Sequence, residues 1–245
     1  MRHFQKEILN SARDETLPEL PKSLRWKARF FGKQMITEYI WNYYERESAD
    51  RIPFYLPYLY MKECFDYLRR YGKIPKKQIN MVLIDDDDAR IDYFLLNYLG
   101  ELNYVTIVTD RMKYFEGLQE RAFQELGLLI DLVHTWEEKQ LHGNMVWDFS
   151  YKLQRADCYP EGSICFLPHK KEWKVKEVRE VCPQITTVTL ASAGVGGELL
   201  IPSFAESLLV PSNFPFRESH CVELREWCNE QKWQLQMKAQ KPENP

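Results

Sequence analysis

The densest chemical signal in the sequence is a run of four aspartates, 85–88, directly after the apolar stretch Met81–Ile84. Clustered carboxylates are hard oxygen donors, so Asp85 and Asp86 could hold Mg²⁺ or a cationic ligand. Acidic side chains at the start of a helix can instead satisfy its free N–H groups, which stabilises a helix by about 0.5–2 kcal/mol per cap. The residues alone leave both roles open.

A second polar group, Thr109-Asp110-Arg111, ends the β-branched stretch that begins at Tyr104. The guanidinium of an arginine in this position could contact a phosphate group. A solvated surface position is the alternative for Arg111. We therefore treat Thr109, Asp110 and Arg111 as candidate cofactor-binding residues.

A third group is the glycine-rich stretch Ala193–Gly197, which follows the apolar and threonine-rich run 185–190. In front of a helix, the backbone N–H groups of Gly194, Gly196 and Gly197 could cradle an anion. The same glycines equally suit a tight turn that needs positive φ. These three residues complete the set of candidate cofactor-binding positions.

Alternating strands and helices must position these groups. Strands are predicted from short apolar or β-branched runs at 81–84, 104–109, 128–133, 145–149, 163–167 and 185–190. Helices are predicted between them at 91–99, over the stripe of Phe115, Leu118, Ala122 and Leu126 that ends at Gly127, at 174–181, and beyond 202. The pattern predicts an α/β fold with a doubly wound, mainly parallel, Rossmann-like sheet.

Ligands of such sheets bind beyond the carboxyl ends of the strands. We therefore expect the aspartate run, Thr109–Arg111 and Gly194–Gly197 to lie at one edge of the sheet. Asp148, near the end of the fourth predicted strand, is expected to join them.

Composition divides the chain into parts. Residues 1–78 are rich in aromatic side chains and carry 16 Lys and Arg against 10 Asp and Glu, a net +6, whereas the rest has 17 against 26, a net −9. Different surfaces are expected for parts of opposite charge. We predict a helical N-terminal subdomain over 1–78 with helices at 21–46 and 56–71, an α/β domain over 79–211, and a C-terminal helix at 218–235 with a polar tail within 212–245.

The stretch Val105–Arg111, its following helix and the third strand resemble the second βαβ unit of NAD(P)-binding Rossmann domains, in particular those of the shikimate dehydrogenase and methylene-tetrahydrofolate dehydrogenase group. Pro160-Glu161-Gly162 before a short strand, and Ala193–Gly197 before a helix with Ala205-Glu206, follow in the same order. The likeness spans residues 79–210. It implies NAD(P) as the cofactor and contact of Thr109–Arg111 with its adenosine ribose.

The loop after the first strand departs from that family. Dinucleotide-binding domains place a G-x-G-x-x-G motif there, but this chain has four aspartates and no glycine before Gly100. A carboxylate ~5 Å from a phosphate charge repels it by about 3 kcal/mol at an effective dielectric constant of ~20. No residue matches the family's catalytic groups, so the catalytic residues stay unknown.

Three functional hypotheses follow. The leading one is a degenerate Rossmann-like protein that binds another small ligand or acts as a non-catalytic scaffold. The enzyme alternative is an NAD(P)-dependent oxidoreductase with a shifted cofactor pose, in which Asp110 or Arg111 lies near the adenosine ribose. The second alternative is a receiver-like regulatory module, in which Asp85, Asp86 and Asp131 would form the phosphoacceptor site and Lys170 the later lysine.

Several classes are disfavoured. No apolar run reaches the ~18–20 residues of a membrane helix, and six cysteines without C-x-x-C spacing suit a reduced, cytoplasmic compartment. The five histidines show no zinc-ligand spacing. We interpret the N-terminal aromatic residues as packing core rather than as a nucleic-acid surface. Whether the chain forms a homo-oligomer is left open.

Overall fold

The computed structural model describes residues 56–85, 98–150, 153–168, 172–195, 198–200, 225–226, 228–230 and 232–242. Eight strands there form one sheet: β1 (Asn80–Ile84), β2 (Tyr104–Val108), β3 (Leu129–Val133), β4 (Met145–Asp148), β5 (Ile164–Leu167), β6 (Thr186–Val195), β7 (Glu198–Leu200) and β8 (Trp233–Gln240). The order β3-β2-β1-β4-β5-β6 is parallel throughout, and β7 and β8 pair antiparallel to β6. The predicted α/β fold with a mainly parallel sheet is confirmed.

Four α-helices have both of their ends in the described ranges: α1 (Leu56–Leu59), α2 (Met61–Tyr71), α3 (Met112–Leu126) and α4 (Glu172–Val181). Short 3₁₀ turns occur at Lys76–Gln78, Leu99–Glu101 and Ala156–Cys158. The predicted helix over 56–71 is present with a break at Tyr60. In α3 the predicted stripe is buried except for Leu126, which is exposed; the next buried leucine is Leu128, beyond the left-handed turn at Gly127 (φ 66°).

The parallel strands are buried because each one presents apolar side chains to both faces of the sheet. Met81 and Leu83 of β1 join a core that also contains side chains of α2 and α3, whereas Val82 and Ile84 join a core with side chains of α4. Helices therefore cover both faces, as a right-handed crossover on each side of β1 requires.

The C-terminal segment corrects the prediction. The chain at 225–226 and 228–230 is helical, but Trp233–Gln240 forms strand β8 rather than the end of a helix and a polar tail. Trp233 is buried in the core, and the Arg225 guanidinium donates a hydrogen bond to the carboxylate of Glu63 on α2. The segment packs on the body through a strand and a short helical stretch.

The glycine-rich segment also differs from its prediction. Strand β6 continues through Ala191–Val195, and residues 198–200 form β7, so a β-hairpin replaces the expected loop. The long pairing of β6 with β8 explains the difference, because it supplies backbone partners to residues whose side chains favour strands only weakly.

The strand order differs from that of a receiver domain. Receivers have the order 2-1-3-4-5, in which β1 neighbours β3, whereas here β1 lies between β2 and β4 and β3 is the edge strand. Asp131 lies inside β3, level with Thr106, and forms an ion pair with Lys139 (Oδ2–Nζ, 2.5 Å). It is therefore not at the strand end where a phosphoacceptor is expected.

Several predicted features lie outside the described residues: Asp86–Asp88, Lys170, Gly196, Gly197, the 21–46 helix, most of the 91–99 helix and the helix beyond 202. None of the described helices combines the length and the apolar character needed to cross a membrane.

Candidate functional site

The carboxyl ends of the parallel strands β1 to β5 lie level with one another, and β6 continues past them. The registers place Val108, Ile84, Asp148, Leu167 and Thr189 in one row across β2, β1, β4, β5 and β6. Backbone bonds continue one residue past the row, from Asp85 N–H to Val108 O (2.9 Å) and from Phe149 N–H to Ile84 O (3.0 Å). The backbone at the start of the loops after β1 and β4 is therefore held by hydrogen bonds, which fixes where the polar residues of these loops begin.

Asp85 is the first polar residue after β1, and its carboxylate is tightly held. Arg111 donates to both oxygens (Nη2–Oδ1, 2.6 Å; Nε–Oδ2, 2.9 Å), and the Thr109 hydroxyl donates to Oδ2 at 2.6 Å. Thr109 Oγ1 also accepts the backbone N–H of Arg111 at 2.9 Å. The structure thus brings together three of the predicted site residues, Asp85, Thr109 and Arg111, and their side chains bind one another.

This arrangement changes what each residue can do. The Asp85 side chain is only 2% exposed, and its charge is neutralised by Arg111, whose guanidinium carbon also lies 4.8 Å from the centre of the Tyr114 ring. A bidentate arginine occupies the oxygens that a metal ion would need. No group of three or more metal-ligating side chains occurs among the described residues. Asp85 as a metal ligand and Arg111 as a phosphate ligand stay predictions.

Asp110, the middle residue of the group, points to a different environment. Its side chain is 60% exposed, and Oδ1 accepts a hydrogen bond from the Thr135 hydroxyl (2.6 Å) and lies 3.9 Å from His134 Nδ1. The His134 ring stacks on the indole of Trp136, with centroids 5.0 Å apart, and Trp136 is 71% exposed. The ends of β2 and β3 thus present a carboxylate beside an exposed aromatic surface.

Asp148, at the end of β4, is the centre of a buried polar cluster. Oδ1 accepts the backbone N–H (2.9 Å) and the hydroxyl (2.6 Å) of Ser150. Oδ2 accepts the Tyr159 hydroxyl (2.8 Å) and lies 2.7 Å from the ammonium of Lys174 in α4. Lys174 Nζ also donates to the backbone carbonyl of Ser150 and to its hydroxyl (3.0 Å). Four donors therefore satisfy one carboxylate.

The cluster keeps its neighbours protonated. Burial, followed by the Asp148 carboxylate, raises the pKa of the Tyr159 hydroxyl, which therefore remains a hydrogen-bond donor. The same two causes raise the pKa of the Cys165 thiol. A closed network of opposite charges with no exposed member fits a structural role, holding α4 against the end of β4.

The glycine hairpin lies above this edge. Strand β8 pairs with one side of β6 from Thr187 to Val195. On the other side, β6 pairs with β5 at Thr186–Thr189 and with β7 at Ala193–Val195. Gly194 is five residues beyond Thr189 and three strands from β1, which places it roughly 20 Å from Ile84. The structure does not bring Gly194 to Asp85. The hairpin instead forms a wall over the end of β5.

Sequence reasoning missed Ser150, Tyr159, Lys174 and Trp136. The first three are separated along the chain and meet only because β4, the loop before β5 and α4 converge, so no spacing motif could reveal them. Trp136 had a weak signal, since it follows a strand end within a polar stretch.

No protein-family model matches the sequence, and no curated protein matches it significantly.

Proposed function

We propose that this chain is a Rossmann-like binding protein that takes a small nucleoside-type ligand, without a diphosphate, at the carboxyl ends of β1, β2 and β3. The observation that carries the proposal is the contrast between two acids at neighbouring strand ends. Asp85 is locked to Arg111, whereas the carboxylate of Asp110 is exposed beside Trp136. Asp85 is held in an ion pair within the protein, whereas the exposed Asp110 can accept hydrogen bonds from a ligand.

Asp110 and Trp136, which follow β2 and β3, are the residues that would contact the ribose and the base of a nucleoside. An acid at this position hydrogen-bonds ribose hydroxyls in Rossmann-type sheets of this strand order. An exposed aromatic ring can stack on a base, which contributes about 1–3 kcal/mol per base. Asp110 and Trp136 are joined through Thr135 and His134, so both groups are positioned before a ligand arrives.

The β1 end argues against a diphosphate. Asp85 and the three aspartates that follow it in sequence replace the glycines that let a backbone approach a phosphate. Arg111, the nearby cation, is committed to Asp85. A ligand whose 5′ substituent is neutral or cationic therefore fits this charge better than NAD(P).

Isothermal titration calorimetry on the full chain tests the charge preference. The probes are adenosine (neutral), S-adenosylmethionine (cationic) and ADP-ribose (anionic), with NAD and NADP added. We expect the neutral and cationic nucleosides to bind at least tenfold more tightly than the three diphosphates. Tighter binding of NAD or NADP would instead support the oxidoreductase alternative with its shifted pose.

Variants locate the site. Asp110→Asn and Trp136→Ala are each expected to weaken nucleoside binding by tenfold or more. Glu116→Gln, on the exposed face of α3, removes the same charge elsewhere and should leave the affinity unchanged. The absence of binding at millimolar nucleoside, or equal losses in Asp110→Asn and Glu116→Gln, would overturn the proposal.

A further inference from the structure

A second concave site lies at the opposite edge of the sheet. A cavity of about 660 Å³ opens at the amino ends of β4, β5 and β6, within the range of 300–1,000 Å³ typical of ligand pockets. Its walls are Gln140–Gly143 before β4, residues of the 156–161 segment before β5, and Val181–Gln184 at the end of α4. It shares no lining residue with the proposed nucleoside site at the ends of β1, β2 and β3, and its one link to the Asp148 cluster among the described residues is Tyr159.

The electrostatics of this cavity favour a cation. Its lining residues include the carboxylates of Asp157 and Glu161 but no lysine or arginine. The carboxyl end of α4 also lies in the wall, and the last carbonyls of a helix carry a partial negative charge. Arg179, the cation in the last turn of α4, reaches instead to the Lys241 carbonyl beyond β8 (3.1 Å).

The walls are held in place without a ligand. Asp157 accepts hydrogen bonds from Arg155 (Nε–Oδ1, 3.1 Å; Nη2–Oδ2, 3.2 Å) and from the backbone N–H of Lys139 (3.2 Å). Across the cavity, Cys182 N–H donates to Val178 O at 3.0 Å. Because the charge of Asp157 is shared with Arg155, the exposed Glu161 is the carboxylate best placed to meet a cation.

The floor of the cavity is apolar. Leu141, Tyr159 and Cys182 are buried beneath it. The Cys182 thiol donates to the Tyr159 carbonyl (3.3 Å), and burial raises its pKa, so it adds no charge. An apolar floor below an acidic rim suits a ligand with an alkyl chain and a charged end.

We propose that this cavity binds a small aliphatic amine of the diamine class, with one of its two ammonium groups at Glu161 and its alkyl chain over Leu141 and Cys182. The proposal concerns a site separate from the proposed nucleoside site. Asp110→Asn should therefore leave amine binding unchanged, and the two proposals can fail independently.

Calorimetry on the full chain at low salt, with 1,4-diaminobutane and the uncharged 1,4-butanediol, tests the proposal. We expect saturable one-site binding of the diamine and none of the diol. Glu161→Gln should weaken diamine binding tenfold or more, whereas the matched surface change Glu116→Gln should not alter it. Equal weakening by the two variants would show nonspecific attraction of cations and overturn the site.

A filling variant tests the location without changing charge. Ala156 is exposed at the cavity wall, so Ala156→Trp should block the amine while circular dichroism and the unfolding midpoint remain close to those of the parent chain. Undiminished diamine binding to a folded Ala156→Trp variant, or binding of the diol as tight as that of the diamine, would contradict the proposal.

Discussion

Arg111 clamps Asp85 through two parallel hydrogen bonds, Nη2 to Oδ1 at 2.6 Å and Nε to Oδ2 at 2.9 Å. The pair joins the end of β1 to the start of α3 across the centre of the sheet. A bidentate arginine–carboxylate pair fixes geometry as well as charge. The clamp therefore fixes the residue that follows β1 against the loop that follows β2, at the carboxyl edge of the sheet.

Removing the arginine should be costly. Arg111→Ala removes the cation and both of its hydrogen bonds from the buried Asp85 carboxylate, so we expect a loss of about 2–4 kcal/mol of unfolding free energy. Urea denaturation followed by tryptophan fluorescence measures this loss. This expected loss is smaller than the ~3–5 kcal/mol typical of breaking a fully buried ion pair, because the Arg111 side chain is 25% exposed.

The control for this prediction is the double variant Asp85→Ala/Arg111→Ala. It removes the stranded charge, so it should be more stable than Arg111→Ala alone, and a double-mutant cycle gives the coupling. Arg111→Lys keeps the positive charge but loses the two-point geometry and should lie between parent and Arg111→Ala. A double variant less stable than the single one would contradict the ion-pair account.

Much of the sheet was predictable because its parallel strands are short apolar runs bounded by polar residues. The end of β6 and strand β8 were not predicted. Residues 191–194 are alanine, serine and glycine, which have little preference for strands, so their sequence does not predict one. They form a strand because they pair with β8. Strand β8 did carry a signal, the strict alternation Trp233, Leu235, Met237 and Ala239 with polar residues between them, which a helical reading overlooks.

The site was predictable in its position but not in its chemistry. Thr109–Arg111 and Asp148 lie at the carboxyl edge because strand ends of a parallel sheet share one edge. Sequence spacing could not show that Arg111 would bind Asp85, or that Lys174 would enter the sheet edge from α4 to meet Asp148. Such pairings depend on the register of separate elements.

The Asp148–Lys174 pair provides a second stability prediction. Lys174→Met keeps the alkyl volume but leaves a buried carboxylate without its cation, so we expect a loss of about 3–5 kcal/mol. The companion Asp148→Asn/Lys174→Met removes both charges and should recover part of that loss. Chemical denaturation of the three proteins gives the comparison. If Lys174→Met unfolds at the parent's midpoint, the buried pair does not stabilise the fold.

The buried thiols predict a chemical selectivity. Burial raises the pKa of Cys64, Cys158, Cys165, Cys182 and Cys228, that of Cys158 to about 11, with the Asp157 carboxylate as its second cause. Only the thiolate reacts with alkylating agents. Brief iodoacetamide treatment of the native protein at pH 8 should leave these five unmodified by mass spectrometry, whereas in 8 M urea (about the concentration that unfolds most domains) all five should react.

The same shifts give the stability a pH dependence with a definite sign. A thiol whose pKa rises from 9.0 in the unfolded chain to about 11 in the folded one holds its proton more tightly when folded. Its contribution is complete below pH 9 and is lost as the pH rises through about 11, by roughly 1 kcal/mol at pH 10. Unfolding free energies at pH 7.5 and pH 10 measure the loss, and Cys158→Ser should reduce the difference.

Two glycines should respond oppositely to alanine. A Cβ at Gly143 would lie 2.9 Å from Val82 Cγ2 and 3.3 Å from the Asn80 carbonyl oxygen, both on the rigid β1 segment, so Gly143→Ala should cost roughly 1–3 kcal/mol. Gly117 lies exposed inside α3 with no other atom within 4 Å of a new Cβ, so Gly117→Ala should add roughly 0.5–1 kcal/mol by restricting the unfolded chain. Thermal and urea unfolding of both variants test the pair. Equal shifts in the same direction would mean that close packing of the 140–143 segment against β1 does not govern the response.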